Sequence, residues 1–294
     1  MQGMLTIIVP VYNELELLPA VAPQIIEYCR PRQWPVIFVD DGSRDGSGKY
    51  LDSISNSSTV FVFHHKVNRG YGGAIKTGIL NTTTPYCITI DADGQHNLQD
   101  VEKIFDYALE KDADMVVGNR GVHGDANAYR AIGKRLIRLF TRLLMPLPIQ
   151  DLNSGFKLYR ADLAKRYQRV CPNAMSFSDV ITLVFINQGN LVLEHPITVN
   201  PRKAGKSTIN TYTAFQTVLE IMNIILMFNP LRIFLPISAF FVFVGLAWGT
   251  YVQLVVGRGV SVGAMLAIVT GLIFFVLGLL ANQVSAMRME ALND

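Results

Sequence analysis

Two aspartates, Asp91 and Asp93, are the residues of this chain whose type and spacing best suit chemistry. They follow a short apolar segment, residues 85–90, which predicts a β-strand that ends where they begin. Ligands of open α/β sheets bind at the carboxyl ends of such strands. Together with the amide oxygen of Gln95, the two carboxylates form a set of hard oxygen ligands that suits Mg²⁺ or Mn²⁺. Because such an ion usually keeps waters and binds substrate phosphates, the segment predicts a metal ion that holds a diphosphate.

Taken alone, an Asp-x-Asp pair is more often a turn or a helix cap than a metal site. The ends of two other predicted strands change this balance, because residues 10–14 and 40–47 place polar groups at the same predicted edge of the sheet. A carboxylate there can accept hydrogen bonds from a nucleobase or a ribose, and Tyr12 can pack on the base. The three strand ends together indicate a nucleotide site beside the two aspartates.

Two glycine-containing segments suggest phosphate loops but fail the established spacings. The glycines of residues 68–74 do not follow the dinucleotide pattern G-x-G-x-x-G. Residues 205–207 read Gly-Lys-Ser, but the Walker pattern requires a further glycine at the position of Asn200. The sequence therefore supports neither a dehydrogenase nor a P-loop NTPase.

The elements that must position these residues alternate between strands and helices through residue 118, which predicts βαβ units and a mostly parallel sheet. The predicted strands are residues 5–9, 36–40, 60–63, 86–90 and 115–118. The predicted helices are residues 15–29, 46–54, 71–80 and 101–110, with Asp45 and Asn97 as caps of the second and fourth. A second mixed region adds strands at 155–160 and 191–197 and a helix at 179–187.

Residues 128–145 predict an amphipathic helix with one cationic stripe, because four basic residues recur at four-residue spacing. These residues are Arg130, Lys134, Arg138 and Arg142. Helices of this kind often lie on anionic membrane surfaces. A surface helix whose arginines are simply solvated explains the pattern equally well.

The last third of the chain is typical of a membrane segment. Of the 26 basic and 23 acidic residues, only three of each lie between residues 209 and 294. Residues 211–228 predict an interfacial helix, and residues 233–256 and 260–287 each exceed the roughly 20 residues that span a bilayer. Only a tight turn around Arg258 separates these two, so they predict a transmembrane hairpin. Gly245 and Gly249 have the spacing of a close helix contact, which leaves a homo-oligomer open.

Charge and cysteine content bear on the compartment. The basic first part of the chain predicts a cytoplasmic domain, because basic residues beside membrane helices stay on that side. Three widely spaced cysteines argue against a disulfide framework and a zinc site and suit a reducing compartment. The chain opens directly into the first strand, without a signal-peptide pattern. The net charge of +3 gives no indication of a nucleic-acid partner.

These motifs resemble the GT-A glycosyltransferases of family 2, whose pattern runs V-P-x-Y-N-E, then V-D-D-G-S-x-D-G-S, then D-A-D-x-Q-H. Residues 151–157 and 201–207 are similar to the members that act on polyprenyl phosphates, which include dolichol-phosphate mannose synthases and bacterial relatives that use undecaprenyl phosphate. The resemblance implies an α/β fold with a Rossmann-like, mostly parallel sheet. It implies three regions, namely a GT-A catalytic domain at 1–208, an interfacial amphipathic helix at 209–230 and two transmembrane helices within 231–294.

The resemblance also implies the reaction, which is inverting, metal-dependent transfer of a sugar from a UDP- or GDP-linked donor to undecaprenyl or dolichyl phosphate. The expected cofactor is Mg²⁺ or Mn²⁺, and the expected location is a bacterial or archaeal inner membrane with the catalytic domain in the cytoplasm. A lipid phosphate is largely ionised at neutral pH, since its second pKa is near ~6. It therefore needs positioning by cations rather than a general base, and the arginine fork suits phosphate.

Carried over position by position, the resemblance assigns three groups of residues. The nucleotide is assigned to Pro10, Tyr12, Glu14, Asp40, Asp41 and Asp91. The metal ion and the diphosphate are assigned to Asp91, Asp93 and Gln95. The acceptor phosphate is assigned to Arg120, Arg130, Lys134, Arg202 and Lys206. Of these, the catalytic set is Asp93, Arg120, Arg130 and Arg202.

Three alternatives stay open. Asp179 occupies the place of a base in related enzymes, but it can also position substrate or cap the following helix, with Ser178 or Asp179 as the N-cap. The acceptor can be a hydroxyl of a glycan or glycolipid, although the Q-x-x-R-W motif of polymerising relatives is absent from the sequence. The chain can also be a non-catalytic membrane scaffold, against which the intact Asp91, Asp93 and Gln95 argue.

Overall fold

The chain divides into two compact units in the computed structural model. One unit comprises residues 1–128 and 147–208, and the other comprises residues 129–146 and 209–294. The structure describes residues 3–56, 58–121, 148–152, 154–198, 226–257, 259 and 261–290. The predicted basic helix at 128–145 and most of the predicted interfacial helix lie outside the described residues.

A seven-stranded sheet forms the centre of the first unit, and its strands pair in the order β3-β2-β1-β4-β6-β5-β7. The strands are β1 (Leu5–Val11), β2 (Val36–Asp40), β3 (Val60–His64), β4 (Tyr86–Thr89), β5 (Met115–Asn119), β6 (Lys157–Arg160) and β7 (Val192–Pro196). Neighbouring strands are parallel, except that β6 runs antiparallel to both β4 and β5. The predicted, mostly parallel sheet is therefore confirmed. Strand order reverses between β1 and β4, which opens a crevice at their carboxyl ends.

Helices connect the strands as the alternating pattern predicts. In the first unit they are α1 (Leu18–Cys29), α2 (Ser47–Ile54), α3 (Tyr71–Leu80), α4 (Leu98–Lys111), α5 (Ala161–Tyr167) and α6 (Phe177–Asn187). Asn97 caps α4 as predicted, and its side chain accepts a hydrogen bond from the Gln99 amide at 3.0 Å. Gly46 rather than Asp45 occupies the N-cap of α2, although the Asp45 carboxylate accepts from the Ser47 amide at 2.9 Å.

The predicted N-cap of α6 is wrong. The helix begins two residues earlier than the sequence suggests, so Ser176 is the N-cap residue and Asp179 lies in the first turn. Phe177, Ser178 and Val180 are buried here, because the start of this helix packs into the unit rather than facing solvent. Asp179 therefore contributes a negative charge near the positive end of the helix dipole.

The central strands are buried on both sides, so they consist of apolar residues without alternation. Helices α1 and α4 contribute to the larger apolar cluster with β1, β2 and β4. Helix α3 covers the other side, where Ala74 packs against Ile37 and Val39. A side chain on Gly78 of α3 would collide with Ile8 of β1, so this glycine permits the close approach of helix and strand.

All three cysteines of the chain lie inside this unit as free thiols. Cys29, Cys87 and Cys171 are buried, and burial raises the pKa of each thiol to about 12. Because the thiolate is the reactive form of cysteine, these side chains act as small apolar groups.

The second unit contains two long apolar helices, α7 (Leu231–Leu254) and α8 (Val262–Glu290). Both are long enough to cross a membrane. Only 11% and 17% of the most apolar 18-residue stretch of each helix is buried, which does not fit core helices of a water-soluble domain. The buried residues of α8 are Ala264, Gly271 and Gly278, which recur every seven residues and form one seam. On α7, a Cβ added to Gly245 would lie 2.9 Å from the carbonyl oxygen of Ala264. The close helix contact predicted at Gly245 is thus made within one chain.

Candidate active site

The carboxyl ends of β1, β2 and β4 and the start of α3 surround a cavity of about 460 Å³. Its lining brings together most of the described residues that the sequence assigns to a nucleotide and a metal ion. The cavity is lined by Pro10, Val11, Tyr12, Glu14, Asp41, Asn68, Tyr71, Ala74, Asp91, Ala92, Asp93, Arg120, Gly155, Met175 and Ser178. This position at the strand-order reversal is where open α/β sheets bind ligands.

The loops that follow β1 and β2 are held together by hydrogen bonds. The backbone amide of Asn13 donates to Ser43 Oγ at 3.0 Å, and the amide of Leu15 donates to Asp45 Oδ2 at 2.9 Å. In return, Asn13 Oδ1 accepts from the Arg44 amide at 2.8 Å. Much of the polar content of these two motifs therefore fixes the two loops against each other, which leaves Tyr12 and Glu14 at the cavity.

The two adjacent aspartates at the end of β2 face different surroundings. Asp41 lines the cavity, and its carboxylate accepts from His65 Nδ1 at 2.6 Å and from the amides of Arg69 and Gly70 at 2.8 and 2.9 Å. Asp40 lies outside the lining, and its carboxylate bonds His64 Nδ1 at 2.9 Å and the Ser43 amide at 3.0 Å. Successive side chains of a strand point to opposite faces, so only one of the pair reaches the cavity. The assignment of Asp40 to the nucleotide stays a prediction.

Asp91 and Asp93 both line the cavity, and their carboxylates are held in different ways. The Tyr71 hydroxyl donates to Asp91 Oδ1 at 3.1 Å, and His96 Nε2 lies 3.4 Å from Asp91 Oδ2. Asp93 Oδ1 accepts from the backbone amide of Gln95 at 3.0 Å. Gln95 thus contributes its main chain to this arrangement, and the cavity lining does not include it.

The glycines of residues 70–73 have a packing role that the sequence does not reveal. A Cβ on Gly70 would lie 2.5 Å from the carbonyl oxygen of Asn173, and one on Gly72 would lie 2.6 Å from that of Pro172. The Gly73 amide also donates to the Asn173 carbonyl at 3.2 Å. These glycines therefore let the segment before α6 lie directly on the start of α3, and this contact accounts for the glycine-rich stretch.

Arg120 forms a bidentate ion pair with Asp151 beside the cavity. Nε and Nη2 of Arg120 donate to the two carboxylate oxygens at 2.8 Å each, and the Arg120 amide donates to Oδ2 at 3.1 Å. Burial alone would raise the pKa of Asp151, but the hydrogen bonds and charge of Arg120 outweigh it and lower that pKa. The guanidinium is therefore held at the cavity wall in a fixed orientation.

A buried lysine braces the same wall. Lys157 of β6 is fully buried, and its Nζ donates to the carbonyls of Leu152 and Ser178 and to Thr182 Oγ1 at 2.6, 2.5 and 2.8 Å. Burial lowers the pKa of Lys157, whereas the charges of Asp179 and Asp151 raise it. Three acceptors match the three donors of an ammonium group. This side chain ties the segment before β6 to α6.

The charge balance of the cavity favours a cation. Among the described lining residues, Glu14, Asp41, Asp91 and Asp93 are acidic, and Arg120 is basic but paired with Asp151. A nucleotide diphosphate would meet net repulsion here unless a cation were bound with it. No cluster of three or more metal-binding side chains is present in the part of the chain that the structure describes. Two carboxylates fit a Mg²⁺ or Mn²⁺ ion that takes its other ligands from phosphate oxygens and water.

Four predicted acceptor-phosphate residues cannot be placed, because Arg130, Lys134, Arg202 and Lys206 lie outside the described residues. Conversely, the structure brings in residues that the site assignment did not include. His65 bonds Asp41, and Asp151 bonds Arg120. Tyr71 and Gly155 both lie beside Asp91. Of these, Asp151, Gly155 and Tyr71 stood in segments that the sequence analysis had singled out, but Tyr71 stood there only as part of a glycine-rich stretch, and His65 stood in none.

Comparison with known proteins shows relatives in sequence and in fold. The polyprenol monophosphomannose synthase of Mycolicibacterium smegmatis is 28% identical over 215 residues, which cover 69% of this chain and 80% of that relative. The dolichyl-phosphate beta-glucosyltransferase of Dictyostelium discoideum is 33% identical over 181 residues, which cover 55% of each chain. Both names contain a polyprenol-type phosphate, but their sugars differ.

Among solved structures, glucosyl-3-phosphoglycerate synthase from Mycobacterium tuberculosis, in complex with Mn²⁺, UDP-glucose and phosphoglyceric acid, has the same fold. The TM-score is 0.57 at 14% identity, and the match covers 76% of this chain and 80% of that one. Residues 229–287 match the model of the GtrB C-terminal hairpin. Together with the length and apolarity of α7 and α8, this match indicates a membrane-anchored protein. Residues 6–168, more than half of the chain, match the model of glycosyl transferase family 2. The chain therefore belongs to glycosyl transferase family 2.

Proposed function

We propose that this protein transfers a sugar, with inversion, from a nucleoside-diphosphate donor to the phosphate of a polyprenyl lipid. The observation that carries the proposal is the cavity that Asp91, Asp93 and Arg120 line together. The named relatives support a polyprenyl-phosphate acceptor, and the hairpin α7–α8 supports a reaction at the membrane. The assay described below decides between a UDP-linked and a GDP-linked donor and identifies the sugar.

Five side chains of the cavity have tasks in this reaction. Tyr12 and Asp41 hold the nucleoside. Asp91 and Asp93 would hold the Mg²⁺ or Mn²⁺, which would supply neutralisation of the charge on the departing diphosphate. Arg120 orients the acceptor phosphate, whose oxygen attacks the sugar carbon while the bond to the diphosphate breaks. Because the acceptor is already ionised, the protein need not remove a proton from it.

The test is transfer of labelled sugar from UDP- and GDP-linked donors to undecaprenyl or dolichyl phosphate, with Mn²⁺ or Mg²⁺ and with EDTA. We expect a lipid-linked product that requires the metal ion. A product formed only on glycan or glycolipid hydroxyls would replace the lipid phosphate as acceptor. Failure with every donor, while UDP or GDP still binds, would favour the non-catalytic scaffold.

The variant Asp93→Ala tests the role of the carboxylate. We expect kcat to fall about a hundredfold or more, because stabilisation of the leaving group by a metal ion is worth several kcal/mol. Asp106→Ala is the matched control, since Asp106 is an exposed carboxylate on α4 outside the cavity lining. Full activity of Asp93→Ala would contradict the metal assignment.

A further inference from the structure

We infer that Tyr71 is a positioning residue that holds the Asp91 carboxylate in the orientation in which it binds the divalent ion. Tyr71 is the first residue of α3, whereas Asp91 follows β4, so the fold brings together residues from two separate elements. The inference rests on the proposed function, because it assumes that Asp91 is a metal ligand. Ligand carboxylates are commonly oriented by hydrogen bonds from neighbouring side chains.

The contacts of Asp91 leave room for an ion. The Tyr71 hydroxyl donates to Oδ1 at 3.1 Å, and His96 Nε2 lies 3.4 Å from Oδ2. A carboxylate offers about four lone-pair sites on its two oxygens, so each oxygen keeps a site for another partner. Two contacts from different directions restrict rotation of the carboxylate while Asp91 still faces the cavity.

The hydroxyl of Tyr71 is suited to this role. A phenol carries one O–H donor, whereas an ionised carboxylate only accepts hydrogen bonds. At 3.1 Å from Asp91 Oδ1, the hydroxyl therefore donates to the carboxylate and does not compete with it for the metal ion.

Gly155 provides an independent indication that this arrangement is tightly built. A Cβ at this position would lie 2.8 Å from Asp91 Oδ2 and 2.8 Å from Tyr71 Oη. Both neighbours are the ends of side chains, so an added methyl group would displace the hydroxyl and the carboxylate rather than the backbone. Only glycine at residue 155 lets the two side chains keep their present contact.

The experiment is a calorimetric titration of the full-length protein with UDP or GDP, whichever the wild type binds, in MnCl2 and in EDTA. We expect Tyr71→Phe to weaken binding in MnCl2 about tenfold, in line with the 10–100-fold effect of residues that orient metal ligands. Binding in EDTA should not change. The matched control is Tyr167→Phe, which removes a buried hydroxyl that accepts from Asn190 Nδ2 away from the cavity. Gly155→Ala should behave like Tyr71→Phe and retain the wild-type melting temperature within a few degrees.

The outcomes separate this inference from the proposed function. If wild-type binding does not depend on Mn²⁺, the metal assignment fails and the inference falls with it. If wild-type binding depends on Mn²⁺ but Tyr71→Phe binds within twofold of wild type, the inference alone is overturned. Equal weakening in MnCl2 and EDTA would also overturn it, because Tyr71 would then act on the nucleotide or on the fold.

Discussion

Arg120, which we propose to orient the acceptor phosphate, illustrates how neighbouring residues fix a single side chain of this site. Two parallel hydrogen bonds to Asp151 fix the guanidinium plane, and Gln150 and Asp151 in turn donate their amides to Glu194 Oε1 of β7. Asn119 Nδ2 donates to the other oxygen of Glu194 at 3.2 Å. The arginine is thus held by a chain of contacts that extends to the sheet edge. Lysine cannot reproduce this geometry, because it lacks the planar fork.

We expect Arg120→Lys to raise the KM for the lipid phosphate about tenfold, with little change in the KM for the donor. The reason is that lysine would lose the bidentate, charge-assisted contact with Asp151 that holds the guanidinium at the cavity. A hydrogen bond to a charged group is worth roughly 1.5–3 kcal/mol. Steady-state kinetics with each substrate varied in turn would measure it. Arg160→Lys is the control, since Arg160 pairs with Asp114 and Asp162 outside the cavity lining. An equal rise in both KM values would instead indicate a general disturbance of the site.

Helices α7 and α8 show how small residues set the distance between two elements. Gly271 of α8 lies so close to α7 that an added Cβ would be 2.6 Å from Val242 Cγ2 and 2.9 Å from the Ser238 carbonyl oxygen. In a bilayer, helix association depends on such close packing, because lipid tails are as apolar as the helices themselves. A seven-residue repeat of small residues keeps one face of α8 against its partner along the helix.

We therefore expect Gly271→Leu to lower the melting temperature of the detergent-solubilised protein by several degrees. Forcing a large side chain into a packed interface costs about 1–3 kcal/mol, which corresponds to about 2–4 °C per kcal/mol for a chain of 150–250 residues. Gly263→Leu in the same helix is the control, since the nearest atom to its Cβ would be Ser261 Oγ at 3.7 Å. Equal effects of the two substitutions would show that helix contact at Gly271 is not the cause.

Local patterns predicted most elements, because the apolar runs of the strands and the periodic apolar residues of the helices are the residues that become buried. The exceptions have physical reasons. Helix α1 begins at Leu18 rather than at residue 15, because the amides of Leu17 and Leu18 bond the Glu14 carbonyl in a turn that still carries apolar residues. Helix α5 follows β6 without a loop and has only seven residues, too few for a periodic pattern. The antiparallel direction of β6 depends on distant partners and cannot be read locally.

The sequence predicted the part of the site that consists of carboxylates at the ends of strands. The carboxylates at the ends of β1, β2 and β4 reach the cavity because strand ends share an edge of the sheet. His65, Tyr71 and Asp151 act through side chains that folding brings in from other segments. Their spacing along the chain carries no sign of those partners, so only the tertiary structure reveals them.

At the scale of the whole molecule, the chain joins a charged catalytic unit to an apolar hairpin, and this combination predicts stable membrane attachment. We expect the protein to stay with the membrane after an alkaline carbonate wash, because two apolar spans are not removed by disrupting charge contacts.

We also propose that the catalytic unit is cytoplasmic. Trypsin should then cut it in inverted vesicles and spare it in sealed right-side-out vesicles. Detergent-lysed vesicles are the control, and cleavage confined to right-side-out vesicles would reverse the orientation.

Because all three cysteines are buried, the native thiols of the folded protein should not compete with an introduced cysteine for a thiol reagent. With each thiol pKa at about 12, almost no thiolate exists at neutral pH, and Cys29, Cys87 and Cys171 are shielded from reagents. A maleimide dye should therefore label the folded protein weakly and the denatured protein at three positions. A single exposed replacement, such as Ser53→Cys on α2, would carry one fluorescent or spin probe without removal of any native cysteine.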